Sequence, residues 1–281
     1  MTKSVSRKVL ALAMFVGALP FLFCARAYAD AKENKFLDDY SNPVGLTFGA
    51  QAKVQTAYLW RGLYCGGANV QASANIGYGG LYADMWWNVG TTDWSFNTFL
   101  PEVDLSVGFA RWGLDVFLLY VYNFNCGFFD ITNYPDKGNR LEIDARYTVS
   151  SKFPLSFLWA TRIAAADSYM RGGDTVRAWS SYAELSYTQN LPSGWSLYGA
   201  FGITPWTSCY TFYERGFAIQ NVEIRLRKAW EISRHFGAMI QGQVCVNPSA
   251  IHVDKSSIAW KPLDPGRQSI NANIALGIYL R

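Results

Sequence analysis

The chain ends in "SINANIALGIYLR", Ser269 to Arg281, where Ile270, Ala272, Ile274, Leu276, Ile278 and Leu280 hold every even position. Ser269, Asn271, Asn273, Ala275, Gly277 and Tyr279 hold the odd ones. A period of two is the mark of a strand with one apolar and one polar face. The same alternation recurs in twelve segments, near 45–61, 69–78, 80–91, 101–111, 113–124, 139–150, 154–165, 176–190, 194–205, 217–229, 234–246 and 268–281. Tight connections, "GYGG", "ARWG", "VSSKFP", "QNLPSGW" and "WEISRH", take turns with longer ones such as "GLYCGGAN", "PWTSCYTFYERG" and "NPSAIHVDKSSIAWKPLDPGR". An even number of strands with short turns at one end and long loops at the other predicts an all-β fold: a 12-stranded antiparallel transmembrane β-barrel over 45–281, with short periplasmic turns and long extracellular loops. A Greek-key sandwich would not sort its connections by length in this way.

Alternation alone does not say which face looks outward, because a soluble barrel writes the same pattern inside out. Composition separates the two. Charged residues make up 16% of the chain and aromatic residues another 16%, against about 25% charged in ordinary soluble domains. The apolar set is therefore read as facing lipid: Leu46, Phe48, Val54, Tyr58 and Trp60 in the first strand, Leu81, Met85, Trp87 and Val89 in the third, and Val222, Ile224 and Leu226 in the tenth. Aromatics gather near strand ends, with Tyr58, Trp60, Trp87, Tyr120 and Tyr122 by long loops. Tyr78, Trp112, Tyr147, Tyr187, Trp195, Trp230 and Phe236 lie by short turns. Two such belts match the two headgroup levels of a bilayer. All ten prolines lie near the N-terminus, at strand ends or in connections, where a missing N–H breaks no ladder.

The N-terminus sets the compartment. Lys3, Arg7 and Lys8 precede an apolar run from Val9 to Phe23, followed by Ala27-Tyr28-Ala29. This is the form of a secretory signal peptide, 1–29, cleaved after Ala29. It leaves a short periplasmic segment, 30–44, and a barrel in the outer membrane of a Gram-negative envelope. Beyond it, no apolar run reaches the roughly 18 residues that a spanning helix needs. The net charge of +4 is small and forms no basic tail, so nucleic acid has no footprint here.

The stretch "AYLWRGLYCGGANVQASANIGYGGLYADMWWNVG", Ala57 to Gly90, resembles the opening signature of the TorF-like porin family: a Y-x-W/F-R-G strand end, a short loop, a "VQ" strand and a G-x-Y strand ending near a Trp. The following "PEVDLSVGF" is similar to that family's acidic strand. The resemblance covers the first half of the mature chain and implies an outer-membrane barrel with a channel role. Cys65 in the first loop departs from the pattern.

If the apolar faces meet lipid, the opposite faces enclose nearly all charges carried by strands. Lys53, Asp84, Glu102, Asp104, Asp115, Glu142, Asp144, Arg146, Arg162, Glu184, Glu223, Arg225 and Arg227 are then the lumen-lining candidates. The acidic members crowd one arc, with Arg225 and Arg227 about half a turn away. Such a wall can set the selectivity of a narrow channel for passive diffusion of small polar solutes. It can equally pair internally and plug the barrel, leaving extracellular loops to bind a ligand or partner. Twelve strands fall between about 8, where side chains fill the interior, and about 16, where a channel stands open. The expected partners are outer-membrane lipid, lipopolysaccharide and small polar solutes. No cofactor or metal is called for, and no catalytic group is assigned.

An enzymatic reading would need a His at the outer rim. Of the two histidines, His235 sits in a short turn and His252 lies in the longest loop, two residues before Asp254. An isolated His-x-Asp pair in a loop is weak support for a hydrolase. Cys65, Cys126, Cys209 and Cys245 all fall at the loop side, suiting loop disulfides or free thiols better than a metal site, since no C-x-x-C spacing is present.

Overall fold

Backbone pairing decides the architecture. The computed structural model describes residues 46–91, 99–124, 126–132, 139–214, 216–252 and 270–280. The expected signal peptide, 1–29, and the segment 30–44 lie outside these residues. Barrel strands are β1 (Leu46–Gln55), β4 (Asn69–Tyr78), β5 (Leu81–Thr91), β6 (Phe99–Arg111), β7 (Leu114–Tyr122), β8 (Arg140–Thr148), β9 (Leu155–Ala165), β12 (Ser181–Leu191), β13 (Trp195–Thr204), β14 (Ala218–Glu231), β15 (Phe236–Val246) and β16 (Ile270–Leu280). Each pairs antiparallel with its sequence neighbour, and β1 pairs with β16 to close the ring. Two small hairpins stand apart from it, β2 (Tyr58–Trp60) with β3 (Leu63–Gly66) and β10 (Ser168–Arg171) with β11 (Asp174–Arg177).

The turns follow their residues. Gly79-Gly80 and Trp112-Gly113 each place two successive residues at positive φ, 59° and 95°, 54° and 79°. Two central residues in that region make the type I′ turn whose twist matches an antiparallel pair. Both turns are at the short-connection end.

Along each strand the exposed residues are the apolar ones. In β16, Ile270, Ile274 and Leu276 are exposed while Asn271, Asn273 and Ala275 are buried. Ile224 is 62% exposed between buried Glu223 and half-buried Arg225. Exposed apolar side chains continue around the wall with Val54, Val70, Leu81, Val107, Ile143, Phe157, Leu185 and Val244. Soluble monomers rarely carry so continuous an apolar surface. It belongs in hydrocarbon, and the chain is a transmembrane barrel. Tyr78, Trp112, Tyr147, Trp195 and Trp230 are all exposed at the short-turn end, where a headgroup-level belt is expected.

Two boundaries differ from the sequence pattern. The first strand leaves the barrel after Gln55 rather than near 61. Here the Asn273 side-chain carbonyl accepts from the Ala57 amide at 3.1 Å and the Thr56 hydroxyl at 3.2 Å. The Thr56 hydroxyl oxygen also takes the Ile274 amide at 2.9 Å. These side-chain bonds replace ladder bonds, so the chain peels inward. Tyr58 and Trp60 consequently do not join the lipid-facing belt; they belong to the β2–β3 hairpin and point into the barrel. Likewise the strand expected from 176 begins only at Ser181. Asp167 accepts from the Ala178 amide through its backbone carbonyl and from the Ser180 amide through its carboxylate, at 2.9 and 2.8 Å. Trp179 between them takes φ 52°, which ends the extended run.

A charge placed on the outer face at mid-strand has no partner in hydrocarbon. Ile224→Arg is expected to cost about 2–4 kcal/mol, measured by urea unfolding of the barrel folded into lipid vesicles. The lumen-side change Asn75→Arg, opposite Asp84, should cost much less.

Candidate functional site

Inside the ring the lining is largely polar. Every charged candidate sits at a position alternating with the exposed apolar set: Lys53 on β1, Asp84 on β5, Glu102 and Asp104 on β6, Asp115 on β7, Glu142, Asp144 and Arg146 on β8, Arg162 on β9, Glu184 on β12, and Glu223, Arg225 and Arg227 on β14. Strand register then sorts them into groups. Asp115 lies opposite Arg146, and Glu142 opposite Arg162. Arg225 bonds Glu223 two residues before it at 2.7 Å. Glu184 accepts from the hydroxyls of Tyr182 and Tyr198, the second at 2.7 Å. The β14 arginines remain six strands from β6 around the ring, on the far side from the acidic arc.

The wall also holds residues that charge counting passes over. Gln55, Gln71, Asn88, Asn221, Gln241, Gln243, Asn271 and Asn273 are all buried. Their signal was present in the sequence, on the same odd or even sets as the charges. Inward tyrosines lie over glycines on adjoining strands. A Cβ on Gly108, Gly202 or Gly237 would stand 2.6, 2.1 or 2.2 Å from Tyr82, Tyr182 or Tyr279 respectively.

The first loop organises the lumen. Arg61 and Gly62, at φ 48° and 79°, make the two-residue turn of the β2–β3 hairpin. From this tip the Arg61 guanidinium donates to Glu142 at 2.6 Å and to Asp144 at 2.7 Å, using two different nitrogens as a planar fork allows. It also donates to the Tyr210 hydroxyl, which in turn donates a hydrogen bond to the second Glu142 oxygen at 3.2 Å. β8 lies five strands from β1 one way round the barrel and seven the other, so the hairpin reaches from one wall toward the opposite one. All three members are enclosed: Arg61 is 8% exposed, and Glu142 and Asp144 are 3% each.

What draws the hairpin in is partly apolar. Leu158 and Ala160 of β9 face inward, breaking the polar lining, and with Tyr182 and Tyr210 they form a buried cluster against which Trp60 and Leu63 pack. Tyr210 comes from the short 3₁₀ turn Cys209–Thr211, whose first amide is held by the Ser180 hydroxyl at 2.8 Å. The Arg61 guanidinium lies over the rings of Trp60, Tyr182 and Tyr210 at 4.6, 5.0 and 5.8 Å, within the range of cation–π attraction. At the hairpin tip, Gly62 abuts the carbonyl of Gln220, the extra residue in a β14 bulge opposite Gly202 and Ile203. Ser249 from the last loop holds the Gln220 side chain at 3.1 Å.

The four described cysteines, Cys65, Cys126, Cys209 and Cys245, are free thiols. Burial pushes the Cys65 thiol up to about 12 and raises that of Cys209, so both are protonated, poor nucleophiles at neutral pH. Among the described residues, no group of three or more His, Cys, Asp and Glu is placed to hold a metal. His235 is exposed in the turn 232–235. His252 ends the 3₁₀ turn Pro248–His252, and Asp254 lies outside the described residues.

No family model matches the chain, and no curated protein matches it. Among solved structures, a KdgM porin overlays with TM-score 0.40 and 7% identity, covering 83% of this chain and 98% of that one. A NanC porin gives 0.44 and 11%, covering 84% and 100%. The translocator domain of the autotransporter NalP from Neisseria meningitidis gives 0.39 and 12%, covering 89% and 94%. Overlays this loose carry neither family nor function across, and the barrel rests on its own strand pairing.

Gly62 has no room for a side chain, since a Cβ would stand 2.0 Å from the Gln220 carbonyl oxygen. Gly62→Ala should lift the hairpin tip. Trypsin would then cut after Arg61 many times faster than in the parent protein, while the folded barrel keeps its gel mobility before heating. Cleavage at the parental rate would show that this contact does not hold the loop.

Proposed function

We propose that the chain is a narrow, porin-like channel of the outer membrane that lets small polar solutes diffuse passively, and that it belongs with the TorF-like porins. One observation carries this reading: a closed transmembrane wall with an apolar exterior encloses charged and amide side chains, and a loop narrows its interior. Burying so many ionic groups in a barrel costs desolvation that a merely structural cylinder could avoid with an apolar filling. A polar lining is what a solute path uses. With Glu102, Asp104, Asp115, Glu142 and Asp144 on one arc and Arg225 and Arg227 on the opposite one, a solute at the waist meets a transverse field that orients its dipole.

In this reading residues 1–29 are removed on export, and the exposed aliphatics meet outer-membrane lipid and lipopolysaccharide. The described charges set ion preference, and no chemistry is asked of either histidine. The β2–β3 hairpin is the constriction. The same hairpin also favours a second reading, in which Arg61 seals the barrel and the outer loops bind a ligand or partner.

Conductance in planar bilayers separates the two. The purified protein is expected to give small discrete openings, and replacing 56–67 by a short Gly-Ser linker should enlarge them several-fold. Arg225→Glu with Arg227→Glu should shift the ion preference toward cations. Well-folded protein that gives no current, with or without the hairpin, would overturn the channel and leave the sealed barrel.

A further inference from the structure

The surroundings of Arg61 have the composition of a receptor for a planar cation. Two carboxylates, Glu142 and Asp144, bind separate nitrogens of one guanidinium. A phenol, Tyr210, meets it at the side, and the rings of Tyr182 and Tyr210 flank it. Only Arg61 and Trp60 of this group come from the hairpin; the carboxylates and Tyr182 belong to the barrel wall, and Tyr210 to the loop joining β13 and β14. We infer that Glu142, Asp144, Tyr182 and Tyr210 form a binding site for guanidinium-bearing solutes, which the chain's own Arg61 fills as an internal ligand. The inference rests on the channel reading for its purpose, though not for its chemistry.

Charge explains why the hairpin does not simply swing away. With Arg61 withdrawn, two neighbouring carboxylates would face each other in the lumen, with Arg162 opposite Glu142 as the nearest cross-strand cation. Arg146 also follows Asp144 on the same face of β8, so what the vacated seat lacks is a two-pronged donor to both carboxylates rather than charge alone. Guanidinium fits as a fork, whereas an ammonium offers a point charge with three divergent donors. A solute that supplies this group exchanges for Arg61 at little net electrostatic cost and frees the hairpin. Because Arg61 is tethered, it competes at a local concentration in the millimolar range. Exchange therefore requires solute at that level, and a channel so built opens for its own substrate class.

The test uses full-length protein refolded in detergent, with ethylguanidinium as probe and ethylammonium and sodium chloride as matched controls. Arg61→Ala should lower the unfolding temperature. Millimolar ethylguanidinium should restore most of that loss, ethylammonium much less, and sodium chloride none. Adding Glu142→Gln to Arg61→Ala should abolish the restoration. Should Arg61→Ala not refold, Arg61→Lys keeps a cation without the fork and carries the same comparison. Equal response to all three salts, or none, overturns the site. Bilayer recordings on the same samples separate this from the channel reading, since ethylguanidinium is expected to reduce the current of Arg61→Ala. A thermal response without current from any variant leaves the site standing and removes the channel. Current without a thermal response does the reverse.

Discussion

In hydrocarbon no water is available to satisfy a backbone amide or carbonyl, so a strand can cross only if both of its edges are paired. Everything else in this molecule follows from that demand. It requires β1 to find β16, which the register from Ala50 opposite Leu280 to Gln55 opposite Ala275 achieves. Once the ring is closed, the period of two leaves each strand with one face for lipid and one for the enclosure. Ionic groups can then go only inward. The polar lumen is thus first of all a consequence of closure.

An enclosed polar space still has to be filled or wetted, and it concentrates like charges. The acidic arc on β6, β7 and β8 is partly answered across strands, Asp115 by Arg146 and Glu142 by Arg162. Arg61 adds a cation between Glu142 and Asp144 from the opposite wall, and Glu102 accepts from the Tyr58 hydroxyl of the same hairpin. Its guanidinium serves three purposes with one group: it bridges two carboxylates, it takes the Tyr210 hydroxyl into the network, and it covers the aromatic cluster over Leu158 and Ala160. A buried ion pair of this kind is weak evidence for net stability but strong evidence for a specified position, because breaking it strands a charge.

Bulges and side-chain bonds place that position. Gln220 is surplus in β14, so its carbonyl turns out of the ladder and toward Gly62. Asn273 and Thr56 exchange bonds that would otherwise extend β1. Each is a local departure from the strand pattern, and each directs a loop into the lumen rather than away from it. Departures of this sort concentrate where a sheet must re-aim a chain.

By itself the sequence determined the number of barrel strands, their faces and the ends where connections are short. These are properties of local alternation and turn chemistry, written within about ten residues at a time. The path of the first loop was not legible there. Read along the chain, Tyr58 and Trp60 continue the apolar set of β1, and Arg61-Gly62 looks like the start of an outer loop. Only the closed ring brings Glu142, Asp144 and Tyr210, far apart in the chain, to one place opposite that tip. The energy of burying a guanidinium between two carboxylates and three rings depends on that meeting, and a pattern of neighbours in sequence cannot express it.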